Sequence, residues 1–258
     1  MLIKGMIVTN KGRRMTVRQT DYQERKDRVL AIVVDEYIKN VSPVGSSLIV
    51  QQYHLDLSPA TVRNILADLE EGGFLTHPHT SAGRVPTQRG YRYFVDNLMN
   101  EIQLLKEEKE SIQAEYKQGM RELGDLLDKT SQIISDVTQY TSIVSIDGEN
   151  KLFCKGISFV AGYPEFRDFM RIKRILHALE EKERILEVIN RDLEKKIQVF
   201  IGSEIAYAEM ENCSLAVSSY KTDKGSGRIA VLGPTRMDYE RVVSTLEYFS
   251  QFMKELLR

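Results

Sequence analysis

The run Ser58-Pro59-Ala60-Thr61-Val62-Arg63-Asn64-Ile65-Leu66-Ala67-Asp68-Leu69-Glu70-Glu71-Gly72-Gly73 reads as one helix with both ends marked. Ser58 is an N-cap whose hydroxyl accepts an amide hydrogen that the first turn cannot satisfy. Pro59 suits the first helical position because it has no amide to leave orphaned. Val62, Ile65, Leu66 and Leu69 recur at three- and four-residue steps and so form a single inward stripe. Thr61, Asn64 and Asp68, flanked by Arg63, are left facing outward. Gly72-Gly73 ends the helix, since missing side chains permit a left-handed cap.

Working outward, Tyr22 to Asn40 carries Val29, Leu30, Val33, Tyr37 and Ile38 at helical spacing, and Ser42-Pro43 terminates that helix. Ser46 to Tyr53 makes a short second helix, and Leu55 to Leu57 turns the chain into Ser58. Downstream, Phe74 and Leu75 begin a strand. His77 to Arg92 holds Arg84, Arg89 and Arg92 with no carboxylate, around a Ser81-Ala82-Gly83 hairpin tip. Three helices followed by a basic hairpin is the order of a winged helix-turn-helix. In that module the capped helix enters the major groove and the wing lies against phosphate. There Asn can pair with adenine and Arg with guanine. The expected base readers are therefore Thr61, Arg63 and Asn64, with Arg84 and Arg92 gripping the backbone.

The chain has 258 residues, 42% of them hydrophobic, which is enough for two cores and a connector. Residues 1 to 99 hold 13 Lys plus Arg against 10 Asp plus Glu, and the remainder hold 23 against 27. Positive charge thus concentrates where nucleic acid is expected. No apolar run approaches membrane-spanning length, and Met6-Ile7-Val8 is too short for the apolar core of a secretory signal. Cys154 and Cys213 are the only cysteines, which fits a reducing compartment and packed thiols. The expectation is a cytoplasmic protein with no membrane partner.

The division expected is a basic, flexible lead over 1–20, the winged helix-turn-helix over 21–99, a helical connector over 100–140 and an α+β domain over 141–258. Two readings fit the lead: an arm tracking phosphate through Lys4, Lys11, Arg13, Arg14 and Arg18, or a disordered segment ahead of an alternative start at Met15. In the connector, Leu105, Ile112, Tyr116, Leu123, Leu126, Ile133 and Val137 approximate a coiled-coil-like seam, interrupted at Lys109, Gly119 and Thr130. That seam either pairs with another subunit or packs on its own domain. Thr141 to Ile146 and Lys151 to Phe159 read as strands, Pro164 to Lys196 as helix with Phe169, Ile172, Ile175, Leu176 and Leu179 on one face. Ile197 to Ile201, Cys213 to Tyr220 and Gly227 to Leu232 are further strands, the last two joined by a loop over 221–227, and Asp238 to Leu257 is the last helix.

Signatures of catalysis are missing: the chain has no P-loop, HExxH, GxSxG or paired CxxC, so neither an enzyme nor a cofactor is expected. His77 and His79 share a face of an extended strand, but no cysteine or carboxylate lies nearby in sequence to complete a metal set. Gly233-Pro234 breaks a strand and Asp238 caps the helix that follows, an architectural reading that leaves only Arg236 for a ligand.

Several of these words together resemble the HrcA family of heat-inducible transcription repressors. The matching words are Pro43-Val44-Gly45-Ser46, Ser58-Pro59-Ala60-Thr61, Arg63-Asn64, Asp68-Leu69-Glu70, Pro78-His79-Thr80-Ser81-Ala82-Gly83-Arg84, Gly90-Tyr91-Arg92 and Val95-Asp96. A second block matches at Val199-Phe200-Ile201-Gly202, Cys213-Ser214-Leu215 and Gly233-Pro234-Thr235-Arg236-Met237-Asp238-Tyr239. The resemblance adds Ser46, Ser58 and Thr80 to the DNA-facing set. It implies a repressor of chaperone genes at an inverted-repeat operator on double-stranded DNA, a homodimer, support from the chaperonin, and a GAF-like fold for the C-terminal domain. After Tyr140-Thr141 typical members continue through additional strands and an inserted dimerisation module before the segment that begins here near Leu152. This chain lacks that material, so the resemblance does not supply its mode of dimerisation. Two rival readings are a ligand-sensing regulator, which a saturable thermal shift with a small molecule would favour, and an adaptor without operator control, which failure to protect promoter DNA would favour.

Overall fold

The computed structural model describes residues 6–8, 14–79, 83–100, 102–116, 123–149, 151–191, 193, 195–222 and 225–256. The chain is α+β and divides into two compact units, with the boundary between Met99 and Asn100.

In the first unit, β1 (Met6–Val8) pairs antiparallel with β2 (Arg14–Thr16), and α1 (Val17–Asn40) follows directly. The lead expected over 1–20 therefore holds a short ladder and the first turn of α1; its other residues lie outside the described residues. Val29, Leu30, Ile32, Val33 and Val34 of α1 are buried, whereas Tyr37 and Ile38 are half-buried. The fully buried apolar stripe thus ends earlier than the spacing predicted. The helix stops at Asn40, with Val41 in the left-handed region at φ 52°. Short α2 (Ser46–Tyr53) then leads to α3 (Pro59–Glu71), the capped helix of the opening run.

All four stripe residues of α3 are buried: Val62, Ile65, Leu66 and Leu69. The Ser58 hydroxyl accepts the Thr61 amide at 3.1 Å and Pro59 stands at the first position, as local chemistry dictates. At the other end it is Gly73, at φ 72°, and not Gly72, that takes the left-handed conformation. The chain then enters a two-stranded ladder of β3 (Leu75–Thr76) with β4 (Val85–Pro86).

The segment after β4 corrects the sequence reading. Gln88–Tyr93 is a helix, α4, capped by Thr87 and continued as a π turn over Phe94–Leu98. Arg89 and Arg92 therefore belong to a helix and not to the hairpin. Arg89 lies over the Phe74 ring at 4.6 Å, and Arg92 pairs with Asp96 at 3.5 Å. Gly90 is required here because a Cβ would sit 2.2 Å from the Phe74 carbonyl oxygen.

The second unit is built on an antiparallel five-stranded sheet of order β6-β5-β9-β8-β7, where β5 is Thr141–Ser145, β6 Leu152–Lys155, β7 Ile197–Ile201, β8 Cys213–Thr222 and β9 Gly225–Pro234. Strand β6 is shorter than expected because Gly156 turns left-handed at φ 72°. Strands β8 and β9 are longer, each running into the glycine segment that the sequence predicted as loop; Asp223 and Lys224 lie outside the described residues.

Alternation divides the sheet into two faces. Ile143, Leu215, Val217, Ala230 and Leu232 form one core with Ile175, Ala178 and Leu179 of α7 (Phe169–Glu180) and with Ile185, Val188 and Ile189 of α8 (Lys182–Ile189). The single helix expected across 164–196 is thus two, broken at Glu181, and Phe169 and Leu176 of the expected face are exposed. On the other face stand Ser142, Ser214 and Ala216, small residues that let α6 (Leu123–Thr138) and α9 (Tyr239–Leu256) lie close. Ser131 of α6 donates to the Ser142 carbonyl at 3.2 Å, and Ser214 bonds the Tyr239 hydroxyl at 2.8 Å.

Most of the seam, read as either a subunit contact or packing on its own domain, lies inside this unit. Its residues fall on two helices, α5 (Lys106–Glu115) and α6; residues 117–122 between them lie outside the described residues. Ile112, Tyr116, Leu126 and Ile133 are buried. Tyr116 meets Phe252 of α9 edge-on at 5.1 Å and donates to Thr130 at 2.8 Å, so the polar interruption at Thr130 is a satisfied core group. The packed-on-itself alternative describes these four residues, whereas Leu105 is exposed.

Candidate nucleic-acid interface

Helix α3 presents its outward residues from a rigid base. Arg63 and Asn64 are exposed on its second turn, Thr61 is half-buried one turn from the cap, and the capping Ser58 is itself exposed. Among the described residues neither Arg63 nor Asn64 is committed to a side-chain partner, so their donors and acceptors face solvent. Ser46, the first residue of α2, is half-buried. Thr80 lies outside the described residues. Asp68, expected to face outward with Asn64, instead accepts the Tyr22 hydroxyl at 2.5 Å, so the second half of α3 is tied to α1. That carboxylate pushes the Tyr22 hydroxyl up to about 12, through the hydrogen bond first and burial second.

Arg84 stands at the foot of the hairpin, directly before β4. Its backbone bridges Val44 through two hydrogen bonds, Val44 N–H to the Arg84 carbonyl at 2.9 Å and Arg84 N–H to the Val44 carbonyl at 2.8 Å. Gly83 is needed for that approach, since a Cβ there would lie 2.5 Å from the Val44 carbonyl carbon. The Arg84 side chain is 23% exposed, and its Nη2 pairs with Glu70 Oε2 at 2.7 Å. Glu70 Oε1 meets His77 Nδ1. Burial alone would push the Glu70 carboxyl up, but the His77 hydrogen bond and the Arg84 charge outweigh it and hold the carboxyl below its usual range. No carboxylate near His77 in sequence marks a partner; in the structure the last turn of α3 supplies one.

Glu70 is the residue that sequence reasoning missed. It lies seven positions from His77 and fourteen from Arg84, and no periodic or capping signal links residues across a glycine stop. Arg92, the other expected backbone contact, lies on α4 and is about a quarter exposed in its pair with Asp96.

Among the described residues no cluster of three or more His, Cys, Asp or Glu is placed to hold a metal, and no helix is long and apolar enough to cross a membrane. Burial pushes the Cys154 thiol up to about 11 and the Cys213 thiol up to about 12, away from reactive thiolate character. Arg236, the one ligand option left by the sequence, is nearly buried, bonds Glu165 and stacks 5.5 Å from the Tyr163 ring.

Comparison with known proteins places the chain. The profile described as HrcA protein C terminal domain matches residues 144–243. The heat-inducible transcription repressor HrcA of Carboxydothermus hydrogenoformans is 30% identical, over 91% of this chain and 98% of that protein. The Geobacter sulfurreducens protein of the same name is 28% identical, over 92% and 99%. The first alignment runs over 334 positions although this chain has 258 residues, so a long block of that relative has no counterpart here. A crystal structure of a hypothetical protein shares the fold, with a TM-score of 0.75 at 16% identity over 91% of this chain and 98% of that one. At 30% identity in an alignment that spans 91% of this chain and 98% of that relative, this chain belongs to the HrcA family.

Proposed function

We propose that this protein is a DNA-binding transcription repressor of heat-shock genes, and not an enzyme. The observation that carries the reading is the family membership, with relatives named heat-inducible transcription repressor matched over nearly their full length. The first unit supports it as a winged helix-turn-helix: α3 enters the major groove with Thr61, Arg63 and Asn64 at base edges, flanked by Ser46 and Ser58. Arg84 and Arg92 flank that helix as backbone contacts, each inside an ion pair that phosphate must compete with. Thr80, proposed on resemblance, completes the hairpin contacts. The second unit is proposed as a reduced GAF-like domain, and the protein as cytoplasmic.

The operator proposed is an inverted repeat upstream of chaperone genes. A palindrome demands a two-fold reader, so the protein acts as a homodimer. Ile112, Tyr116, Leu126 and Ile133 of the seam are buried within the unit, whereas Leu105 is exposed. Support of the repressor by the chaperonin is proposed on family resemblance alone.

Binding of the full chain to chaperone-promoter duplexes, with scrambled duplex as control, tests the reading. Preference for one inverted repeat by roughly a thousandfold or more at physiological salt is expected. Light scattering of the complex should count two chains per repeat. Equal affinity for scrambled DNA would sink the repressor reading.

A further inference from the structure

We infer that Glu70 is a positioning residue that governs discrimination between operator and random DNA, by holding the foot of the hairpin to the reading helix and withholding the Arg84 charge from phosphate. The inference rests on the repressor reading above and names a residue that touches no base.

The geometry is specific to this carboxylate. Glu70 sits in the last turn of α3, on the helix that carries Arg63 and Asn64. Its two oxygens take one group from each limb of the hairpin: His77, just after β3, and Arg84, just before β4. One side chain therefore sets where both limbs leave the helix. The three groups are partly shielded, at 26% exposure for Glu70, 23% for Arg84 and 38% for His77, so the pairing is less screened than an open surface contact. The Arg84 backbone is also bonded to Val44, so Glu70 adds a second tie to that limb and sets the direction of the guanidinium.

The consequence follows from how phosphate binding behaves. A cation free to reach phosphate adds affinity for every duplex alike and steepens the salt dependence by about one unit. Pairing with a fixed carboxylate removes that indiscriminate term, because phosphate must first displace the carboxylate. Where base contacts hold α3 in the groove, the phosphate is delivered to Arg84 at high local concentration and the exchange proceeds. On random DNA it does not. Specificity gained through a repulsive or competing element is a general device of selective interfaces.

The experiment uses the full chain and follows anisotropy titrations on operator and random duplex from low to moderate salt, for the wild type, Glu70→Gln, and Glu70→Gln with Arg84→Gln. Glu70→Gln keeps the side-chain shape and removes the charge. Expected is a gain on random duplex of about threefold to tenfold near 50 mM salt with a salt slope steeper by about one unit. The operator should gain less, so the preference falls, and the added Arg84→Gln should cancel the random-duplex gain. Amide hydrogen exchange of Arg84 in the free protein, which reads the hairpin foot without any DNA, should accelerate in Glu70→Gln.

Unchanged random-duplex affinity and slope in Glu70→Gln, with operator binding intact in the wild type, overturns the inference and leaves the repressor reading standing. Equal weakening on both duplexes also overturns it, since that outcome belongs to a residue that only supports the fold. Exchange at Arg84 that is indifferent to Glu70→Gln removes the positioning role. A wild type with no operator preference removes the repressor reading itself, which the other results do not.

Discussion

Asn64 and Glu70 stand less than two turns apart on α3, yet their chemistry points in opposite directions. Asn64 is exposed with its amide uncommitted, the condition for a bidentate contact to a base edge. Glu70 is committed twice over to the hairpin. Substitution should separate them by what changes. Asn64→Ala removes a base contact and no intramolecular one, so it should cost about 1 to 3 kcal/mol on the operator and almost nothing on random duplex. Its melting temperature should stay at the wild-type value because the residue is exposed in mid-helix. Paired titrations and a thermal melt measure both. Equal losses on the two duplexes would show that Asn64 contacts the backbone and that base reading lies elsewhere on α3.

At the scale of elements, the second unit is held by side chains that close one helix onto another. Glu108 of α5 accepts the Leu105 amide at 2.7 Å, capping its own helix, and pairs with Arg241 of α9 at 2.7 Å. The Arg241 hydrogen bond first, and the Leu105 amide second, hold the Glu108 carboxyl below its ordinary 4.5. A depressed folded-state value means that the stabilisation is fully present above pH 4.5 and is lost as the pH falls below it. Glu108→Gln should therefore lower stability by about 1 kcal/mol at neutral pH, with the difference from wild type shrinking as acid is added below that range. Urea denaturation at a series of pH values reads it; a difference that persists unchanged into acid would mean that packing, and not charge, is what the substitution removes. The same contrast explains what could be read without coordinates. Ser58, Pro59 and Gly73 act on amides and carbonyls within four residues, so their helix was legible nearly to its ends. The outward placement of Arg63 and Asn64 followed from the same periodicity. The sense of the α5 and α6 seam was not legible, because heptad-like apolar spacing states that a face is buried and not what buries it. Here the answer comes from Phe252 and Met253, more than a hundred residues away in the chain. Glu70, Asp68 and Arg92 were misplaced or missed for the same reason: their partners are set by tertiary approach, which side-chain periodicity does not encode.

For the whole molecule, the division between Met99 and Asn100 gives each unit a core of its own. Among the described residues the first has four α-helices and two two-stranded ladders; the second is a five-stranded sheet covered on both faces. A smaller domain buries a smaller fraction of its surface on folding, so the first unit should melt at the lower temperature. Calorimetry of the full chain is expected to show two transitions. Ligand binding then identifies which unit reads DNA, because a ligand stabilises only the fold that it binds. Operator duplex at a thousand times its dissociation constant adds about 4 kcal/mol, enough to raise the lower transition by several degrees while leaving the upper one in place. Random duplex at the same concentration, bound far more weakly, should move it little at physiological salt. Under the proposed heat-inducible repression, loss of operator binding on warming should follow the lower transition and not the upper. If operator moves only the upper transition, DNA is held by the sheet unit and the assignment of α3 as the reader is wrong.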